Sequence, residues 1–347
     1  MINLAVAGIV AFLVTLFGMP FLMRWLFARG IGQSIREELS ADQQKKKGTP
    51  TMGGIMIVIG ALAGYLAPHL RSELPFSFGG LAVVWAFVGA GAVGFADDWI
   101  KVRRKRSLGL NKTAKSGGQL AVAAVFVAIA DLKTDLAPRI GFTRMGNPGW
   151  RIPMIVFMVL AVVLVYGFSN AVNLTDGMDG LAAGTSVYSF GAYTLMCFWM
   201  FRNPSIYQVD QALDLAVIAS AMVGACLGFW WWNAAPARIV MGAVGSRAIG
   251  SAFGAIAVLT YTPLLLPVIG GLFVIETVSV ILQVGSFHLF NKKRIFRMAP
   301  IHHHFELKGW PETTVTIRFW IIAMILVFSG LGMFFADFIS LPAGARP

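Results

Sequence analysis

Asp176 and Asp179 stand three residues apart in Asn170-Ala171-Val172-Asn173-Leu174-Thr175-Asp176-Gly177-Met178-Asp179-Gly180-Leu181, a polar stretch between long apolar runs. In a helical turn that spacing puts both carboxylates on one face, about 5–6 Å apart, close enough to share a cation. Gly177 and Gly180 leave room for a phosphate to approach the backbone. An Asx-rich turn capping the next helix accounts for the same residues in a soluble protein. At the edge of a membrane span, however, paired carboxylates are costly and call for a role.

Other polar groups sit in similar places. The adjacent pair Asp97-Asp98 ends an apolar run. It suits Mg²⁺, which takes one or two carboxylates plus substrate phosphates; a merely solvated helix end is the plainer explanation. The basic stretch Lys101 to Lys115 would draw in a polyphosphate or an anionic lipid head, and would serve equally as a topogenic loop. His302, His303 and His304 are consecutive and so point in different directions, a poor metal cage. They are better suited to donating hydrogen bonds or protons to a substrate. Glu276 lies inside an apolar run and is expected to pack between helices beside Gln283.

These groups need elements to carry them. Of 347 residues 57% are hydrophobic and only 13% charged, with mean hydropathy +0.73, which marks an integral membrane protein. The net charge of +12 reads as positive-inside bias and attraction to anionic lipid or substrate, with no nucleic acid as partner. Cys197 and Cys226 both lie in apolar runs and say nothing about redox compartment. The first run, 2–23, lacks a basic leader and a small-residue cleavage site and is expected to be a retained helix.

Apolar runs fall at 2–23, 51–70, 79–96, 117–132, 152–168, 181–200, 212–231, 248–260, 264–287 and 316–338, which makes ten expected spans. Pro263 and Pro267 leave the partition of 248–287 open. With ten spans, the loops at 24–50, 97–116, 169–180, 233–247 and 288–315 share one side and carry 20 Lys and Arg, against 7 on the other. That side is expected to be cytoplasmic, with both termini outside. The fold class expected is therefore an all-α polytopic membrane protein, one domain over 1–347, in a bacterial inner membrane. Every unusual polar motif falls on the cytoplasmic side, which implies one active site facing the cytoplasm. The glycosylation-like triplets at Asn111 and Asn173 fall there too and are set aside.

Taken together, Gly48-Thr49-Pro50-Thr51-Met52-Gly53-Gly54, Asp97-Asp98, Asn170 to Gly180 and Ala299-Pro300-Ile301-His302-His303-His304-Phe305-Glu306 resemble the phospho-N-acetylmuramoyl-pentapeptide-transferase family. These motifs are in order and span nearly the whole chain. The histidine motif favours this family over the wider polyprenyl-phosphate N-acetylhexosamine-1-phosphate transferase superfamily. The resemblance implies transfer of phospho-MurNAc-pentapeptide from UDP-MurNAc-pentapeptide to undecaprenyl phosphate, giving lipid I and UMP, with Mg²⁺, in a homodimer among membrane lipids. It implies that Asp97 or Asp98 deprotonates or positions the lipid phosphate. Asp98 and Asp176 serve the metal and diphosphate, and Asn173 orients that diphosphate. Lys46, Thr51, Gly177, Met178 and Asp179 line the nucleotide pocket, with Asn233, His302, His303 and His304 on the nucleotide and sugar side. Direct attack and a covalent aspartyl intermediate both remain open.

One loop departs from the pattern. Where the family reads Phe-Met-Gly-Asp-x-Gly-Ser-Leu, this chain has Val240-Met241-Gly242-Ala243-Val244-Gly245-Ser246-Arg247. The resemblance makes the absent aspartate, at Ala243, the principal Mg²⁺ ligand and the absent phenylalanine, at Val240, a stacking platform for uracil. Impaired catalysis is expected. Arg247 either mimics part of the missing cation or blocks it. Competing readings are a UDP-GlcNAc:undecaprenyl-phosphate GlcNAc-1-phosphate transferase and a non-catalytic binding protein or transporter. A transporter would place its polar groups at mid-membrane between repeats.

Overall fold

The computed structural model describes residues 1–32, 48–72, 74–104, 109–289 and 294–342. Lys46 lies outside the described residues. In chain order the elements are α1 (Ile2–Ala28), α2 (Gly54–Ser72), α3 (Phe78–Arg103), α4 (Lys112–Lys133), β1 (Arg139–Arg144), β2 (Asn147–Arg151), α5 (Met154–Thr175), α6 (Leu181–Arg202) and α7 (Pro204–Tyr207). They continue with α8 (Ala212–Asn233), α9 (Gly242–Leu259), α10 (Leu266–Ile269), α11 (Gly271–Leu289), α12 (Ile301–Glu306) and α13 (Glu312–Ser340).

Among the described residues nine of these helices are long and apolar enough to cross a membrane, one fewer than the ten expected. The remaining expected span is α6, a helix of 22 residues whose Thr185, Ser186 and Ser189 are buried against its neighbours. Those hydroxyls lower its hydropathy without exposing polar groups, because Ser186 Oγ donates to the Ala182 carbonyl and Ser189 Oγ to that of Ile269. The chain is a multi-pass membrane protein.

α1 shows how the outer helices are built. Its buried residues Leu4, Ala7, Ala11, Thr15 and Met19 recur every three or four positions, a narrow stripe that packs on α8 and α2. Ile9, Phe17 and Phe21 on the other faces stay exposed, as lipid-facing side chains would be. α9 is the opposite case: every residue from Ala243 to Leu259 is buried, and the helix is wrapped by α2, α3 and α5.

Two expectations need correction. The chain is not purely helical, since β1 and β2 pair antiparallel, with Arg139 opposite Arg151 and Ile140 opposite Trp150. The helix before this pair ends at Lys133 with Thr134 as its cap, and Met145-Gly146 turns a stretch too short to cross. Asp337 near the end of α13 holds this hairpin, accepting from Thr143 Oγ1 (2.6 Å), Arg144 Nε (2.9 Å) and Asn147 Nδ2 (2.6 Å). The loops expected at 97–116, 169–180 and 233–247 are also shorter than read. Asp97 to Arg103 end α3, Ser169 to Thr175 end α5, and Gly242 to Arg247 form the first turns of α9. Polar residues there are sheltered by neighbouring helices, which hydropathy along one chain does not register.

Candidate functional site

The residues singled out from sequence gather where α3 and α5 end and α4 and α9 begin. Gly242 opens α9 with φ +74, a conformation that favours glycine. A methyl group built there would lie 2.6 Å from Asp98 Oδ2 and 3.1 Å from Thr51 Oγ1, so nothing larger fits between those side chains. Gly94 lets α3 approach so closely that a side chain there would strike the Ala243 carbonyl. The segment before α2 completes the wall. Val240 N–H donates to the Pro50 carbonyl (2.8 Å), and Gly53 N–H to that of Val240 (2.9 Å).

Asp97 and Asp98 are 1% and 4% exposed. Lys101 Nζ lies 2.7 Å from Asp97 Oδ2 and 2.9 Å from Asp98 Oδ1, and Lys115 Nζ lies 3.0 Å from Asp97 Oδ2. Leu110 N–H donates to Asp97 Oδ1 (3.0 Å) and Val244 N–H to Asp98 Oδ2 (3.3 Å). Asp97 therefore ties the start of α4 to α3, while Asp98 faces the first turn of α9 with fewer attachments. The positive end of α9 favours a carboxylate at that place. Ser246 Oγ donates to Asn173 Oδ1 (3.1 Å), which brings the end of α5, and Asp176 one turn later, to the same helix start.

Beside this cluster lies a second one. A side chain at Gly177 would collide with His302 Nε2, and His302 Nδ1 stands 3.0 Å from Glu276 Oε2, both residues being fully buried. The alignment of these two groups falls short of a hydrogen bond. Glu276 thus faces His302, while Gln283 accepts from Ile295 N–H and Phe296 N–H at 3.1 and 2.9 Å instead of joining Glu276. Asp179 Oδ2 accepts from Ala237 N–H (2.9 Å), and its own N–H donates to Glu312 Oε1 (2.8 Å). Asn233 accepts from Gly180 N–H (3.0 Å) and donates to the Ile239 carbonyl (2.9 Å), so it joins two loops.

Not every expected residue lines open space. Met178 is buried with Leu181, Leu272, Val315 and Phe319 in a small apolar cluster. The three histidines diverge as their adjacency requires: His302 points inward, His303 pairs with Glu306, and His304 Nδ1 accepts from Arg297 N–H (3.0 Å). Burial pushes the His303 imidazole below the ordinary histidine range against the pull of Glu306. His304 is pushed the same way, first by desolvation and then by Lys308 and Arg297.

Sequence reading did not place Ser246 or Gln119 in the site, and took Arg247 there only as mimicking part of the missing cation or blocking it. Gln119 Nε2 donates to Ser169 Oγ (3.0 Å), and Ser169 Oγ to the Arg247 carbonyl (3.1 Å), so a polar ladder runs from α4 through α5 to α9. A signal existed for Arg247: it is an arginine followed by a run, 248–275, without a single charge.

The donor set does not fit the Mg²⁺ centre implied by the resemblance. Among the described residues no three His, Cys, Asp or Glu side chains converge where an ion could be held. Ala243 supplies no oxygen, and Lys101 and Lys115 already compensate Asp97 and Asp98.

Comparison with known proteins gives the same grouping as these motifs. Residues 80–261 match the model of glycosyl transferase family 4, and residues 46–58 match signature 1 of phospho-N-acetylmuramoyl-pentapeptide-transferase. A protein of that name from Frankia casuarinae is 49% identical over 96% of this chain and 98% of its own length. Its namesakes from Cutibacterium acnes and Streptomyces coelicolor are each 46% identical, covering 97% and 95% of this chain and 99% and 97% of their own. At such identity over nearly full length, the chain belongs to the phospho-N-acetylmuramoyl-pentapeptide-transferase family.

Proposed function

We propose that this protein transfers phospho-MurNAc-pentapeptide from UDP-MurNAc-pentapeptide to undecaprenyl phosphate at the cytoplasmic face of a bacterial inner membrane, forming lipid I and UMP for peptidoglycan. The observation that carries the reading is the buried Asp97–Asp98 pair, set against two lysines and the first turn of α9 at the end of a membrane helix. A lipid phosphate anchored in the bilayer and a soluble nucleotide can meet at such a place.

In this reading an oxygen of the lipid phosphate attacks the β-phosphorus of the sugar nucleotide, and the bond to the α-phosphate oxygen breaks, releasing UMP. Asp98 accepts the proton of the lipid phosphate or orients it, being the carboxylate with fewer fixed partners. Asp97 is a positioning residue that holds Leu110 and Lys115. Lys101 and Lys115 offset charge that builds on the transferring phosphoryl group. Asn173 and Asp176 face the diphosphate. Asp179, Gly177 and Thr51 border the nucleotide, Asn233 fixes their loops, and His302 to His304 contribute hydrogen bonds on the sugar side. Since the described residues do not fit a metal centre, no step is assigned to Mg²⁺. The protein acts as one unit over 1–347, and a homodimer of such units is the expected assembly.

The test is a two-substrate assay with the purified protein and radiolabelled nucleotide. Labelled lipid from UDP-MurNAc-pentapeptide and not from UDP-GlcNAc is the expected result; the reverse preference would assign the chain to the GlcNAc-1-phosphate transferases of the same superfamily. Movement of substrate across proteoliposomes without lipid product would point to transport.

A further inference from the structure

Arg247 is one of the largest fully buried side chains, 2% exposed, in the second turn of α9. Val244, three residues earlier on the same helix, donates its N–H to Asp98 Oδ2 (3.3 Å), and Ser169 bonds the Arg247 carbonyl, so the side chain leaves α9 beside the carboxylate cluster and lies in the field of Asp97, Asp98 and Lys115. Among the described residues, however, Nε and Nη1 find no hydrogen-bond partner. The carboxylates are occupied elsewhere: Asp97 by Lys101, Lys115 and Leu110 N–H, Asp98 by Lys101 and Val244 N–H. Three cations thus surround two carboxylates, and the cation left over presents unpaired donors in a water-poor interior.

A buried charge with unused donors is unfavourable unless something supplies the missing acceptors. A planar guanidinium matches a tetrahedral phosphate through paired N–H groups, whereas it repels a metal ion. The polar ladder through Ser169 and Gln119 fixes the backbone at Arg247, so the side chain is aimed from a rigid helix.

We propose that Arg247 is a phosphate clamp, holding an oxyanion between itself, Lys101 and Lys115, and that this fixed positive charge replaces a divalent cation in substrate binding. The inference rests on the transferase reading, because that reading supplies the phosphate. Two sources carry the same chemistry, the diphosphate of the sugar nucleotide and the phosphate of the lipid.

The experiment is calorimetry on the full-length protein in nanodiscs, titrated separately with UDP, uridine and undecaprenyl phosphate, in EDTA and again with MgCl₂. UDP affinity is expected to change less than about threefold between the two conditions. In Arg247→Leu it is expected to fall about tenfold to a hundredfold, the range for losing a hydrogen bond to a charged group, with uridine binding unchanged. Arg247→Lys, which keeps the charge and loses the fork, should fall between the two and covers the case in which the leucine variant does not fold. Loss in the lipid phosphate titration and not with UDP would place the clamp on the lipid. Unchanged binding of both phosphates in Arg247→Leu, or loss of native UDP binding in EDTA, would overturn the clamp and leave the transferase reading standing. Absence of binding of either phosphate to the native chain, with or without MgCl₂, would overturn both.

Discussion

The carboxylate of Asp98, in the last turns of α3, accepts the backbone N–H of Val244 in the first turn of α9 at 3.3 Å. The base proposed for the reaction and the loop that departs from the family pattern are therefore in direct contact. Asp98→Asn keeps the shape of the side chain and removes its charge. Transfer is expected to fall about 10²–10⁴-fold, the usual worth of a general base, while Tm stays within a few degrees. Lipid product formation and calorimetric melting measure the two effects, and near-native turnover would remove Asp98 from the chemistry.

Val240 has both backbone groups bonded to the segment before α2, which fixes where its side chain emerges. It offers an aliphatic edge and no ring. Val240→Phe is expected to tighten uridine binding by about 1–3 kcal/mol, the worth of stacking on an aromatic face. Calorimetry with uridine alone reads the change, and an unaltered affinity would mean that position 240 does not face the base.

Burial holds the His303 imidazole below its ordinary value of 6.5, so the unfolded chain binds the proton more readily than the folded one. Stability contributed by neutral His303 is present above pH 6.5 and is lost as pH falls through the lower folded value. Tm is therefore expected to drop on acidification below about 6.5, and His303→Gln should flatten that slope. Melting curves between about pH 5 and 8 show it, and an identical slope in the variant would assign the dependence elsewhere.

The sidedness read from 20 basic residues against 7 is open to labelling. Single cysteines replace Lys112, at the start of α4, and Gly146, in the hairpin turn. Native Cys197 and Cys226 are buried and should give little background. An impermeant thiol reagent applied to spheroplasts is expected to modify position 146 and spare position 112. The opposite pattern would invert the topology and place the candidate site outside the cell.

The helical framework was legible because apolar runs of crossing length leave few alternatives. Asp98, Thr51 and Asn173 do converge on the start of α9, and Asp97 faces the start of α4 beside them. The hairpin at 139–151 was not legible, since its strands are short and interrupted by Gly141, Pro148 and Gly149. Gly242 to Arg247 read as loop because glycine, serine and arginine are loop-like along a single chain. They are helical because three other helices enclose them. For the same reason Met178 was expected at a pocket wall and lies in a core cluster instead. Arg247 was read only as mimicking part of the missing cation or blocking it; its unpaired donors exist only once Asp97 and Asp98 have taken their partners.

The central claim is that this chain makes a lipid-linked phospho-sugar and releases UMP. The direct measurement is UMP release from UDP-MurNAc-pentapeptide and undecaprenyl phosphate by the purified native protein and by Ala243→Asp with Arg247→Leu. We expect slow release by the native chain, dependent on both substrates and indifferent to EDTA. The double variant, with a third carboxylate beside Asp98 and no guanidinium, should turn over about 10–100-fold faster with MgCl₂ and lose that gain in EDTA. UMP release by neither protein under any of these conditions would contradict the account.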